Sequence, residues 1–293
     1  MTAGDHERDL PKVAIIAGGG TLPLQLAESC RQSGRPYLVL AVEGFADPAV
    51  ADHPHEWVGL ASFGRMTKLM RAAACEDVIF SGIITRPDFS RIKPDLGTLK
   101  RLPRIVAAAR GGDNQLLTAV VSVFEEDGFR VVGAHEVATE LLAPQGAIGR
   151  HQPTEENLAD MKRGIEVVHA MGRFDIGQGA VVCDQLVLAV EAMEGTDRML
   201  ERCATLPRHI RGSERNRKGV FVKAPKPKQE RRVDLPTIGP HTVERVKAAG
   251  IAGIAVEAGG TLVLDREETV ARAESAGIFL YGFAAGESDH DAS

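Results

Sequence analysis

The sequence predicts an α/β fold in two parts, a Rossmann-like parallel-sheet N-terminal domain and a second, mixed α/β C-terminal domain. Apolar, strand-like runs alternate with helix-like stretches through the first half of the chain, which is typical of a parallel sheet covered by helices. A segment rich in proline and glycine, residues 143–154, then interrupts the pattern and predicts a linker. The length of 293 residues also suits two domains of ordinary size.

The N-terminal domain, residues 1–142, is predicted from four strands and the helices between them. The strands are expected at Lys12–Ala17, Tyr37–Val42, Asp77–Ile84 and Phe129–Gly133. The helices are expected from Leu22 to about Gly34 and at Met66–Cys75, Leu102–Ala109 and Asn114–Glu126. Because helices separate the strands, the strands should run parallel.

The C-terminal domain, residues 155–286, starts with a predicted helix, Glu155–Met171, and ends before a polar tail at 287–293. Two apolar runs, Gly179–Cys183 and Leu186–Glu191, predict a hairpin. Thr196 is expected to cap a helix that ends near Ala204. The remaining expected elements are an extended loop at 224–228, helices at Thr242–Ala249 and Glu267–Ala276, and strands near Ile254, near Leu262 and at Ile278–Phe283.

Composition excludes several classes of protein. The net charge of −5 and the hydrophobic content of 44% argue against a disordered chain. No apolar run approaches the ~20 residues that span a bilayer, and the polar N-terminus does not resemble a signal peptide. Four scattered cysteines favour neither a zinc site nor a disulfide framework. We therefore expect a cytoplasmic protein.

Positive charge is concentrated between Arg208 and Arg232, where ten Lys or Arg residues face two acids, a net charge of +8. A local basic patch on an acidic protein suggests an anionic ligand or a membrane surface rather than nucleic acid. A solvated loop and helix face is the alternative interpretation.

The N-terminal domain offers one candidate site at the carboxyl ends of its strands. Gly18, Gly19, Gly20 and Thr21 lead from the first strand into a helix, where backbone N–H groups bind phosphate well. Pro23 replaces the third glycine of the dinucleotide fingerprint, so the alternative is a tight packing turn. The residues that follow two other strands belong on the same rim, and they are Ser81, Gly82, Gly133, Ala134 and His135. A single histidine such as His135 is more often structural than catalytic.

The C-terminal domain offers a second candidate site around the predicted hairpin. Gln178 and Gly179 precede its first strand, and Gly195 and Thr196 follow its second strand at a helix start that suits phosphate. Glu194 and Asp197 offer carboxylates to a divalent cation. Both acids could instead simply balance the helix dipole.

A cationic, proline-rich segment, Lys223–Gly239, completes this candidate site. Lys223, Lys226 and Arg231 could neutralise a diphosphate, and Thr237 lies in the same segment. The acid Asp234 could hold Mg²⁺ or position the attacking water.

Five motifs resemble one family, the metal-dependent UDP-2,3-diacylglucosamine pyrophosphatases of lipid A biosynthesis in alphaproteobacteria and some other Gram-negative bacteria. The motifs are IAGGGTLP (Ile16–Pro23), GAHEV (Gly133–Val137), DIGQGAVV (Asp175–Val182), VEAMEGTD (Val190–Asp197) and KAPKPKQERRVDLPTIG (Lys223–Gly239). The resemblance covers nearly the whole chain.

This resemblance implies a Rossmann-like domain, a distinct C-terminal domain and hydrolysis of UDP-2,3-diacylglucosamine to UMP and 2,3-diacylglucosamine 1-phosphate. It also implies Mg²⁺, a catalytic Asp234, and a homodimer. Because the substrate carries acyl chains, transient contact with the cytoplasmic surface of the inner membrane is expected as well. Two other hypotheses stay open on the residues alone: a non-catalytic nucleotide-sugar or phospholipid binding protein, and a nicotinamide-dependent oxidoreductase.

Overall fold

A computed structural model describes residues 10–84, 94–99, 101–109, 113–227 and 230–285. The chain divides into two compact units, Met1–Thr139 with Glu230–Val233, and Glu140–Gln229 with Asp234–Ser293. Residues 143–154, expected to be a linker, therefore belong to the second unit, and they contribute a short strand to its sheet. The expected polar tail lies outside the described residues.

The first unit contains a five-stranded sheet whose strands all run parallel. Its strands are β1 (Val13–Ala17), β2 (Tyr37–Val42), β3 (His55–Val58), β4 (Asp77–Ser81) and β5 (Arg130–Val131). Its helices are α1 (Leu22–Ser33), α2 (Phe63–Ala72), α3 (Leu96–Leu99), α4 (Leu102–Ala109), α5 (Asp113–Glu126) and α6 (Ala134–Val137). The strand order β3-β2-β1-β4-β5 confirms the predicted Rossmann-like sheet.

Three strand predictions in this unit were incomplete. Strand β3 was missed because it is an edge strand in which only Val58 is buried, so it shows no apolar run. Strand β4 ends at Ser81 rather than Ile84, since Gly82 takes a φ of +86° that leaves the extended conformation. Strand β5 is short because Gly133 is already the N-cap of α6.

The core of the first unit forms where the strands meet α2, α4 and α5. Ile16 of β1 and Val78 of β4 pack with Met66, Met70 and Phe124 of the helices. Burial of such apolar surface is the main favourable term in folding. It fixes the strand ends, and therefore the loops that follow them.

The second unit has a seven-stranded mixed sheet and a separate two-stranded one. Its strands are β6 (Gly146–Ala147), β7 (Gly179–Cys183), β8 (Leu186–Val190), β9 (Gly212–Ser213), β10 (Asn216–Lys223), β11 (Thr237–Ile238), β12 (Ile251–Glu257), β13 (Leu262–Val263) and β14 (Phe279–Phe283). Its helices are α7 (Glu155–Arg173), α8 (Gly195–Ala204), α9 (Arg208–Arg211), α10 (Pro240–Ala249) and α11 (Arg266–Ala276). Strands β7 and β8 form the predicted antiparallel hairpin.

The large sheet runs in the order β6-β14-β12-β10-β7-β8, with β9 beside β10. Strands β10, β12 and β14 are parallel, while β7 pairs antiparallel with β10. Helix α7 covers one face, and α8, α10 and α11 cover the other. Gly164 lets α7 lie close to the sheet, because a Cβ there would lie 2.4 Å from Val222 Cγ2. Among the described residues, no helix is both long and apolar enough to cross a bilayer.

Candidate active site

The predicted residues of the first unit lie at the carboxyl ends of β1, β4 and β5, which share one edge of the parallel sheet. The turn after β1 is bonded directly to the segment after β4. The Gly18 N–H donates to the Ser81 carbonyl at 2.8 Å, and the Gly19 N–H donates to the Ile83 carbonyl at 2.9 Å. Ile83 in turn donates its N–H to the Gly19 carbonyl at 2.8 Å.

These bonds occupy the N–H groups of Gly18 and Gly19. Gly18 and Gly19 are needed for close packing: a Cβ on Gly18 would lie 2.9 Å from the Ile83 carbonyl oxygen. Gly82 meets the turn from the other side, where a Cβ would lie 2.6 Å from the Gly19 oxygen. The N–H groups of Gly18 and Gly19 are thus already bonded within the first unit.

Two buried polar atoms on the same edge have no hydrogen-bond partner in the described part of the chain. They are Oγ of Ser81, a residue that is only 7% exposed, and Nδ1 of His135. Gly133 and Ala134 carry His135 at the start of α6, and the Gly133 N–H donates to Glu136 Oε1 at 2.9 Å. Buried polar atoms normally have hydrogen-bond partners. Two such atoms without partners, at the ends of neighbouring strands, therefore indicate a place where a ligand or water binds.

In the second unit, Lys223 lies at the centre of the predicted site. It ends β10 opposite Gly179 of β7, and the Glu191 N–H donates to the Gly179 carbonyl at 2.8 Å. Adjacent strands thus place Glu191, Gly179 and Lys223 side by side. Lys223 Nζ donates to Thr196 Oγ1 at 2.9 Å and to the Thr237 carbonyl at 3.1 Å.

Thr196 links the lysine to a buried acid. Its hydroxyl donates to Glu191 Oε1 at 2.9 Å while it accepts from Lys223, so it does not cap α8 as the sequence suggested. The capping position belongs to Glu194, because α8 already begins at Gly195. Both Glu191 and Lys223 are less than a tenth exposed, at 7% and 5%.

The electrostatics of this cluster centre on one buried cation. Burial lowers the pKa of Lys223, and the charges of Glu191, Asp234 and Asp197 oppose that shift. Glu191 Oε2 and Gln178 Oε1 are buried and have no hydrogen-bond partner among the residues that the structure describes. Like the orphan atoms of the first unit, they indicate a site that something else completes.

Glu191 was not among the predicted site residues. Its place directly after the second hairpin strand was visible in the sequence, and the pairing of that hairpin puts it beside Gly179. The carboxylate lies so close that a Cβ on Gly179 would be 2.7 Å from Glu191 Oε2.

The other predicted acids are engaged elsewhere. Glu194 Oε1 accepts from Arg202 Nη2 at 3.0 Å, and Asp197 Oδ2 lies 3.4 Å from His241 Nε2. Over the described ranges, no three His, Cys, Asp or Glu side chains come together as a metal cage. A site in which Asp234, Glu194 and Asp197 together bind a divalent cation is therefore not preformed.

The cationic segment is divided between the two units. Lys226 and Asp234 belong to the second unit, where Lys226 Nζ lies 2.6 Å from Asp175 Oδ1. Arg231 is exposed and belongs to residues 230–233 of the first unit. Its neighbour Arg232 forms ion pairs there with Glu230 and Glu125, and these raise the pKa of Arg232 above its ordinary value.

Sequence models of the LpxI N-terminal domain and the LpxI C-terminal domain match residues 12–141 and 144–281 of this chain. The chain belongs to the LpxI family. A curated LpxI-family relative, the UDP-2,3-diacylglucosamine pyrophosphatase LpxI of Caulobacter vibrioides, is 50% identical over 271 residues, covering 92% of this chain and 97% of the relative.

Among solved structures, the chain is similar to a UDP-glucose-4-epimerase (galE) from Stenotrophomonas maltophila with bound NAD and formylated UDP-arabinopyranose. The identity is 14%, the match covers 41% of this chain and 34% of the other, and the TM-score is 0.26. A likeness at that level carries no inference. The LpxI family models meet between residues 141 and 144, close to the division between the two compact units.

Proposed function

We propose that this chain hydrolyses UDP-2,3-diacylglucosamine at the α-phosphate, giving UMP and 2,3-diacylglucosamine 1-phosphate for lipid A biosynthesis. The observation that carries the proposal is the 50% identity, over nearly the full length of both chains, to a relative named for this pyrophosphatase. The chemistry of the second unit supports it, since a buried, hydrogen-bonded ammonium suits the charge of a diphosphate.

Lys223 is the main phosphate-binding residue in this proposal. Two of its three N–H groups are used, on Thr196 and Thr237, in the described part of the molecule, which leaves the third for a phosphate oxygen. In a site that excludes water, such a fixed cation stabilises developing negative charge far better than a solvated one. Lys226 and Arg231 add cationic charge, Gln178, Gly179 and Gly195 form the surrounding backbone, and Asp234 acts at the reacting phosphorus.

The donor set of the second unit fits a Mg²⁺ ion that is held mainly by the substrate. Magnesium commonly binds to one or two carboxylates and completes its coordination with water and phosphate oxygens. Asp234, half-buried beside the Lys223 cluster, is the carboxylate that we assign to it, while Glu194 is paired with Arg202. The ion supplies Lewis-acid stabilisation of the phosphoryl oxygens.

For the first unit by itself, we propose that the edge of its sheet binds a polar or anionic group. Ser81 Oγ and His135 Nδ1 are the atoms available to bind a polar group, and Gly20 with Thr21 begins a helix that favours an anion.

We further propose that the protein acts as a homodimer and visits the cytoplasmic surface of the inner membrane. A diacylated substrate lies in a bilayer, and the +8 charge between Arg208 and Arg232 favours anionic lipid. Co-sedimentation with vesicles of neutral lipid, and with vesicles that also contain anionic lipid, tests this. Binding that is equal on both, or absent on both, would contradict it.

UMP release from UDP-2,3-diacylglucosamine is the experiment that tests the proposed reaction. We expect release with Mg²⁺, no release with EDTA, and a loss of at least about 100-fold in Asp234→Ala, which should fold and still bind the nucleotide lipid. A folded wild-type protein that binds the lipid nucleotide but releases no UMP would instead be a nucleotide-sugar binding protein.

A further inference from the structure

In the hydrogen bonds that join Lys223, Thr196 and Glu191, it is fixed which group donates and which accepts. The Thr196 hydroxyl has one proton, and it is donated to Glu191 Oε1. The lone pairs of the same oxygen therefore face the Lys223 ammonium, which donates to it at 2.9 Å. If the hydroxyl proton turned away from Glu191, Lys223 would lose an acceptor.

Glu191 is suited to this role by its position and its burial. Glu191 is only 7% exposed, and its carboxylate rests over Gly179, where a side chain would not fit. A carboxylate in such a place is unfavourable unless a nearby positive charge compensates it, and Lys223 is a buried cation on β10, on the other side of β7.

We infer that Glu191 is a positioning residue for the proposed hydrolysis: through the Thr196 hydroxyl it holds the Lys223 ammonium in the orientation that binds the substrate diphosphate. This inference rests on the proposed function, because Lys223 is the phosphate-binding cation there. As an anion, Glu191 acts on the diphosphate through Thr196 and not by direct contact with it. Its effect should therefore depend entirely on Thr196.

A double-mutant cycle with Glu191→Ala and Thr196→Val tests the inference by steady-state UMP release and by calorimetric titration of the substrate with EDTA present. We expect each single variant to lower kcat/KM by about 10- to 100-fold, because each leaves a buried charge without its partner. The double variant should be little worse than the poorer single variant, since both changes break the same chain. Thr196→Ser keeps the hydroxyl and should retain activity within about threefold.

Asp160→Asn provides the matched control for folding. Asp160 is also a buried acid of the second unit, 3% exposed, but it binds backbone N–H groups of Asp184 and Gln185 at the other end of the hairpin. This variant should lose stability in urea and keep its kcat/KM per folded molecule. If Glu191→Ala behaves in the same way, Glu191 is merely structural and the inference is wrong.

The remaining outcomes also decide the question. The inference would be wrong if the losses of kcat/KM were additive in the double variant. It would also be wrong if Thr196→Ser lowered kcat/KM as much as Thr196→Val does. If the wild-type protein binds the nucleotide lipid without releasing UMP, the proposed reaction fails. The substrate affinities of the same variants then still decide whether Glu191 positions Lys223.

Discussion

The two units each bury a charged cluster, and the clusters differ in how completely their hydrogen bonds are satisfied. Asp77 in the first unit is 1% exposed, and its two oxygens accept from Arg35 Nη2 at 2.5 Å and from Arg130 Nη2 and Nε at 2.7 and 2.8 Å. In the second unit, Glu191 keeps one oxygen without a partner among the described residues, and Lys223 keeps one N–H group.

The positions of the two clusters agree with this difference. Asp77 begins β4, so it lies at the amino ends of the parallel strands, away from the edge that carries Ser81. Lys223 ends β10 and is the first residue of the cationic segment. A cluster whose hydrogen bonds are all made, which we call closed, stabilises the fold. A cluster that keeps polar atoms without partners, which we call open, can still bind a ligand, at some cost in stability.

Asp77→Asn should produce the largest loss of stability. It leaves the guanidinium of Arg35, which is 7% exposed, without its counter-charge. Removing one partner of a buried pair typically costs about 3–5 kcal/mol, which urea unfolding would measure. Activity per folded molecule should stay unchanged. Glu126→Gln is the control, because its pair with Arg104 is exposed on both sides and should contribute less than about 1 kcal/mol.

Removing the charges of the open cluster should have the opposite effect: activity should fall and stability should not. The double variant Lys223→Met with Glu191→Gln eliminates both buried charges, and such replacements are often neutral or stabilising. We expect a free energy of unfolding at least equal to that of the wild type, with kcat/KM lowered at least about 100-fold. A strong loss of stability instead would show that Lys223 is as structural as Asp77.

The sequence was sufficient for features that depend on neighbouring residues and strand periodicity. The parallel sheet and the hairpin follow from apolar runs and turns. Strand β10 was not predicted, and neither was the place of Lys223 beside Gly179. The hydrogen-bond network around Lys223 was not predictable, because it joins Lys223 to Thr196 and Thr237, which lie in other helices and strands. For the same reason the N–H bonds of Gly18 and Gly19 to the end of β4 were unforeseen: they join segments that are distant in sequence.

Asp95 gives the comparison a third and smaller case, a partly exposed acid that is fully supplied with donors. Its oxygens accept from the N–H groups of Thr98 at 2.7 Å, Gly64 at 3.3 Å and Arg65 at 2.9 Å, which caps the start of α2. Burial alone would raise the pKa of Asp95, but the hydrogen bonds from Thr98, Arg65 and Gly64 lower it below its ordinary value of 3.8.

A lowered pKa in the folded state means that the folded protein binds this proton less readily than the unfolded chain does. The stabilisation is therefore complete above the unfolded value of 3.8 and is lost as the pH falls through the lower, folded value. Asp95→Asn should cost about 1 kcal/mol at pH 7, and its difference from the wild type should shrink below about pH 4. Urea unfolding midpoints of both proteins at about pH 7, 5 and 3.5 would measure this difference. A difference that stays constant across that range would show that Asp95 caps the helix through its shape and not through its charge.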